Sequence, residues 1–378
     1  MRRMVNKFSS NFVSLCEFFL LIALLFVGDF AVQDIKIAPL VSSCAFFYYF
    51  IKNTKRHKSL VVNLYVGLTF FLIVAISTIL NYGEGIYQFW YLIPFLSIFF
   101  ITDALKINLD NLTLIIFLFA ILLVSLQFYW LVSGGVRGKA IFGPNILYRI
   151  FIFLAILSYF RLQGLMGLII ICLCVIGVIL TGSRGGFVVG VLVSTAIILS
   201  SRRLKLNKSV VFLVLLFPFT LYLFLPKIEV LDFVLQRLFL FAGGSSIEGR
   251  LEFASVSLSI FSGGFFDLLF GLGVYPNELF KFYPHNILLE LLVSHGILTF
   301  IFFLFISIYI CVYSVLKRKK ISREQQFLFV VFVLFLSSAQ FSGSFYDNWT
   351  CLSLAFCIFG SYLKKNTSTE KHKLITKV

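Results

Sequence analysis

Two stretches of this chain, 111–136 and 291–316, each run 26 residues without an Asp, Glu, Lys or Arg. About 20 such residues cross the roughly 30 Å of bilayer hydrocarbon as a helix. In lipid the backbone must satisfy its own hydrogen bonds, so long apolar runs of this kind become helices. The rest of the chain agrees. Apolar residues make up 60% of it and charged residues 13%, against about 45–50% and about 25% in a water-soluble domain. The sequence therefore predicts an all-α, polytopic integral membrane protein. Charges and breakers divide it into about twelve spans, near 12–29, 36–52, 60–80, 86–102, 112–132, 146–160, 163–180, 185–200, 209–226, 291–316, 325–340 and 348–363.

The net charge of +16 would point to nucleic acid in a soluble chain. Here its placement argues otherwise. Twenty-three of the 32 basic residues fall at the N-terminus, in alternate loops and in the tail, as in Lys317, Arg318, Lys319, Lys320 and Arg323. The positive-inside rule then puts both termini in the cytoplasm. The clusters are short and lack interleaved aromatic platforms, so nucleic acid is not an expected partner. The seven cysteines all fall within expected spans and form no metal or disulfide pattern. Cys172 and Cys174 belong on different helix faces.

The whole chain, 1–378, reads as one membrane domain with one long outward loop, 227–290, before the tenth span. Such a loop in a compact protein is a functional candidate. Its stretches 228–241 and 250–262 are amphipathic, which suits short helices resting on the membrane surface. A second outward segment holds Arg137 and the turn Gly143–Pro144–Asn145; a third reads Thr181–Gly182–Ser183–Arg184–Gly185–Gly186. Gly186 and Gly190 form a small-residue pattern that predicts close helix packing.

The outward arginines break the positive-inside trend. Arg184 sits at a membrane edge, Arg250 starts an amphipathic stretch, and Arg137 lies in the earlier loop. A guanidinium there must snorkel, pair or meet an anion, and its fork matches phosphate oxygens. Ordinary pairing with loop carboxylates or headgroups is the alternative. His285, in Tyr283–Pro284–His285–Asn286, can take a proton from a sugar hydroxyl, with Asn286 orienting it. A satisfied boundary histidine is the plainer reading. His295, beside Gly296, reads as structural or cavity-lining. No P-loop, Rossmann, H-E-x-x-H or D-x-D pattern is present. Any activity is expected on the outer side, with a donor already in the membrane.

These pieces resemble the O-antigen ligase and polysaccharide polymerase family of bacterial cell envelopes. The resemblance rests on TGSRGG at 181–186, GR at 249–250, GLG at 271–273, YPHN at 283–286, LLELLVSHG at 288–296 and VRGKAIFGPN at 136–145. Phe253 stands where many members carry Trp. The resemblance implies a GT-C-like fold in the bacterial inner membrane with its active site facing outward. It implies a metal-independent, inverting glycosyltransferase without cofactor, using an undecaprenyl-diphosphate-linked glycan donor. By analogy Arg184 and Arg250 bind the diphosphate, Arg137 helps place substrate, and His285 is the general base, supported by Asn286. The acceptor is a second glycan repeat unit in a polymerase or lipid A–core in a ligase. The polymerase is the preferred reading, and a chain-length regulator is a candidate partner. A polysaccharide transporter or a non-catalytic assembly protein are the other classes. A transporter would favour paired broken helices and midplane charges.

Overall fold

The computed structural model describes residues 2–26, 31–32, 35–36, 44–45, 48–49, 68–70, 72, 74, 76, 101–105, 112–133, 144–162, 164–200, 264–272, 286–341 and 349–375. Its helices are α1 (Arg2–Phe26), α2 (Ile101–Ala104), α3 (Thr113–Val132), α4 (Pro144–Arg161), α5 (Leu165–Leu180), α6 (Arg184–Ser200), α7 (Phe265–Phe270), α8 (Ile287–Leu316), α9 (Arg323–Ser338) and α10 (Trp349–Ile375). The expected spans 36–52, 60–80, 86–102 and 209–226 lie wholly or largely outside the described residues, as does most of the loop 227–290.

The all-α expectation needs one small amendment. Ala31–Val32 and Ile35–Lys36 pair as two-residue antiparallel strands after α1. Two backbones leaving a helix can satisfy each other's N–H and C=O groups at the cost of very little chain.

The helices show the polarity of a protein solvated by lipid. On α3, Leu114, Leu118, Leu122 and Leu126 form an exposed stripe, while Ile116, Ala120, Leu123 and Gln127 form the buried one. On α8, Thr299, Ser307 and Ser314 are buried, while Ile301, Phe305, Ile308 and Val312 are exposed. A leucine ladder facing water would be a large apolar patch; facing acyl chains it carries no such penalty. Both helices are long and apolar enough to cross a membrane, and α5 and α6 are shorter apolar helices. The chain is an integral membrane protein.

The Cα positions divide into two compact units, each built from separated pieces of sequence. Unit 1 comprises Met1–Ile22, Ile107–Ala242 and Arg318–Ser338. Its centre is α4, a largely apolar helix in which Tyr148, Phe151, Phe153 and Leu154 are fully enclosed, which marks a helix surrounded by others. α5 packs against α3 and α4, and α9 packs against α4 and α6. Small residues allow the closest approaches. A Cβ on Gly177 of α5 would lie 2.5 Å from the ring of buried Phe151. Gly177→Ala is therefore expected to cost about 1–3 kcal/mol, read as a lower melting temperature in detergent.

Unit 2 comprises Ala23–Lys106, Gly243–Lys317 and Ala339–Val378. α8 and α10 meet through stacked rings, with Tyr313 and Tyr362 centroids 4.3 Å apart. Ser314 and the Tyr362 hydroxyl share a 2.9 Å hydrogen bond beside them. Phe70 packs on Phe356 at 5.1 Å. α8 is not continuous: Gly296 has φ 78° and ψ 178°, so the helix breaks there.

Candidate functional site

Helix direction gives unit 1 two distinct ends. At one end, Gln326 of α9 donates to the Ser200 carbonyl at the close of α6, 2.6 Å. Phe160 and Arg161, closing α4, also meet Phe327 there. At the other end α4 and α6 begin and α9 finishes. Arg149 of α4 reaches the Ser338 carbonyl at 3.5 Å. Arg184 opens α6 at this same end.

The turn that carries Arg184 can be explained residue by residue. Thr181 Oγ1 donates to the Val178 carbonyl, 2.6 Å, closing α5. Gly182 takes φ 58°, a left-handed conformation suited to glycine, and its N–H bonds back to Ile179. Ser183 caps α6 by accepting from the Gly186 N–H, 3.3 Å. Gly186 lets α6 approach α4, because a Cβ there would lie 2.8 Å from Tyr148 Cγ. Gly190 does not share this role: among the described residues, nothing lies within 4 Å of its notional Cβ. The expected packing pair is thus half corrected. Gly190 lies one helical turn further on, where α6 meets none of the described residues so closely.

Arg184 follows this turn directly. It is half-buried and stands at the first position of a 17-residue helix. Backbone amides there carry partial positive charge, which disfavours a cation and favours an anion. Amides and guanidinium together suit phosphate oxygens. Ser183→Ala is expected to remove the cap and cost about 1 kcal/mol, seen as faster hydrogen exchange in the first turn of α6.

In unit 2, Asn286 is the N-cap of α8. Its Oδ1 accepts from the Leu288 and Leu289 N–H groups at 3.0 and 3.1 Å. That oxygen is committed to the helix, and its amide nitrogen is what it can offer to another group. The Ile287 N–H donates to the Ala339 carbonyl, 3.0 Å, which ties the start of α8 to the chain after α9. His285, Arg250 and Arg137 lie outside the described residues. Arg184 belongs to unit 1 and Asn286 to unit 2.

The sequence reading missed how α7 crosses α8. Gly271 and Gly296 have φ 77° and 78°. A Cβ on Gly271 would meet the backbone of Ser294, His295 and Gly296, and a Cβ on Gly296 would meet the Leu269 carbonyl. The Leu272 N–H donates to Val293 at 2.8 Å. Two backbones therefore touch at two glycines, with buried His295 at the crossing. His295 was expected to be structural or cavity-lining, and it is enclosed. The glycines of GLG and SHG were the available signal. Arg149 was also passed over: it is 4% exposed, inside an apolar helix.

The seven cysteines are free, and Cys174 is buried while Cys172 is intermediate, in keeping with their different faces. No cluster of His, Cys, Asp or Glu suited to a metal occurs among the described residues.

The fold and its lipid-facing helices define an integral membrane protein with a cationic helix start at one end of unit 1. Residues 168–304 match the family model described as O-antigen ligase, the family that the motifs resemble. The match takes in TGSRGG, GR, GLG, YPHN and the SHG break, but neither Arg137 nor Arg149. No curated protein matches the chain.

Proposed function

We propose that this protein is a polymerase. It would join oligosaccharide repeat units carried on undecaprenyl diphosphate at the outer face of the bacterial inner membrane. One observation carries the reading: Arg184 stands at the first position of the 17-residue helix α6, where backbone amides and a guanidinium together suit phosphate oxygens. The match to the O-antigen ligase family supports the same class, a membrane glycosyltransferase acting on a lipid-linked glycan.

In this scheme Arg184 and Arg250 neutralise the departing diphosphate, and Arg137 helps place the donor. His285 takes the proton of the acceptor hydroxyl as its oxygen attacks the anomeric carbon. The new glycosidic bond forms as the bond to the diphosphate breaks, so configuration inverts. The arginines stabilise the charge that develops on the leaving group, and the scheme uses no metal. Asn286 supports the base by fixing the start of α8, directly after His285.

The family description favours a second reading, a ligase that transfers the finished glycan to lipid A–core. Purified protein given lipid-linked repeat units, with and without lipid A–core, separates the two. Chain growth without core is the expected result. Transfer only to core would establish the ligase. No transfer to either acceptor, with lipid-linked glycan moved between leaflets, would establish a transporter. A partner that sets chain length would change the product distribution without being needed for bond formation.

A further inference from the structure

We propose that Gln127 is a positioning residue for Arg184: from α3 it fixes the last peptide of α5, and with it the turn that carries Arg184 to the donor diphosphate. This inference rests on the reading above.

A helix leaves its last four carbonyls without partners of its own. At the end of α5 all four are answered. The Gly177 carbonyl accepts from the Thr181 N–H at 3.1 Å, and the Ile179 carbonyl from the Gly182 N–H at 2.9 Å. The Val178 carbonyl accepts from the Thr181 hydroxyl. These three partners come from the turn itself. The fourth does not: the Leu180 carbonyl accepts from Gln127 Nε2 of α3, at 3.3 Å.

The Leu180 carbonyl and the Thr181 N–H belong to one planar, stiff peptide group. Its N–H is held by α5 and its carbonyl by α3, so it is fixed at both ends. The turn beyond it is tied as well. The Ser183 N–H donates to Thr181 Oγ1 at 3.3 Å, and Ser183 in turn caps α6. An arginine that follows a turn so fastened moves with that peptide. Position therefore passes from α3 through Leu180 to Arg184.

The direction of the Gln127 amide follows from its partner. A carbonyl cannot donate, so Nε2 faces Leu180 and Oε1 faces away. Oε1 is buried and has no hydrogen-bond partner among the described residues. The rest of this buried stripe of α3, Ile116, Ala120 and Leu123, is apolar. Interhelical hydrogen bonds in membranes add little stability on average, while a buried acceptor left unmet costs more. Stability alone favours an apolar residue at 127. What the amide supplies, and an apolar side chain does not, is a donor for Leu180.

The test measures affinity for undecaprenyl diphosphate, with the full chain in phosphatidylcholine nanodiscs, beside the melting temperature. Gln127→Met keeps the length of the side chain and removes the donor. It is combined with Arg184→Met in a double-mutant cycle. Gln127→Met is expected to weaken binding about tenfold, inside the roughly 10²-fold that a misplacement of about 1 Å can cost. In the Arg184→Met background the same change is expected to cost nothing further, since no guanidinium is left to misplace. Losses that multiply in the double variant would overturn the inference and leave the donor reading standing. So would unchanged affinity in Gln127→Met with a lower melting temperature, which would assign Gln127 to packing alone. Failure of the unaltered protein to bind the diphosphate would overturn the donor reading and this inference with it. If Gln127→Met does not fold, Gln127→Asn, an amide one methylene too short to keep the contact, runs the same cycle with the same deciding outcomes.

Discussion

Arg184→Met is expected to lower turnover of a lipid-diphosphate-linked glycan by about 10²–10³-fold, the range seen when one preorganised stabiliser of developing charge is removed. The helix should survive. Ser183 holds the cap, Gly182 makes the turn, and Gly186 fits against Tyr148 whatever the side chain at 184. The loss should therefore appear in kcat and in donor KM, with the melting temperature near that of the unaltered protein. Arg184→Lys should recover part of the rate, because it restores the charge but not the bidentate fork. His285→Ala should also lose turnover, but with donor affinity kept, since a general base acts on the acceptor. Full turnover in either neutral variant would remove that residue from the mechanism.

Gly296→Ala is expected to damage both folding and activity, by well over about 3 kcal/mol. Its φ and ψ, 78° and 178°, lie in a region that only glycine occupies readily, and a side chain there alone costs about 1–3 kcal/mol. The added methyl would also meet the Leu269 carbonyl, and backbone cannot swing aside as a flexible side chain can. Either the α7 crossing opens or the first segment of α8 shifts, and that segment begins at the Asn286 cap. Gly190→Ala supplies the control. Its notional Cβ meets none of the described residues within 4 Å, and it sits within a helix, where alanine is favoured by about 1 kcal/mol. A Gly296→Ala variant that melts and turns over like the Gly190→Ala protein would refute the interlock.

Much of the fold was legible because charged residues must leave hydrocarbon. The spans expected at 112–132, 163–180 and 185–200 meet helices at Thr113–Val132, Leu165–Leu180 and Arg184–Ser200. The same rule misplaced the start of α8. Glu290 was taken as a boundary, but it is buried, and the helix begins at Ile287 under the Asn286 cap. Arg149 was passed over although the expected span 146–160 contains it, because hydropathy averages a single charge into an apolar run. Arg184 could be singled out as a candidate because its sign opposed the local trend. The crossing of Gly271 and Gly296 could not, since hydropathy is blind to φ, and pairing between distant glycines leaves no local pattern.

The break in α8 also has a consequence of length. The 20 residues 297–316 rise about 30 Å, enough by themselves to traverse the hydrocarbon. The nine residues 287–295 before the break add about 13 Å that the traverse does not need. They form a short pillar that can stand in the headgroup layer, and the Asn286 cap is its tip. A group carried at that tip would meet an amphiphilic donor and a water-borne sugar at the same depth, without drawing either into the oil.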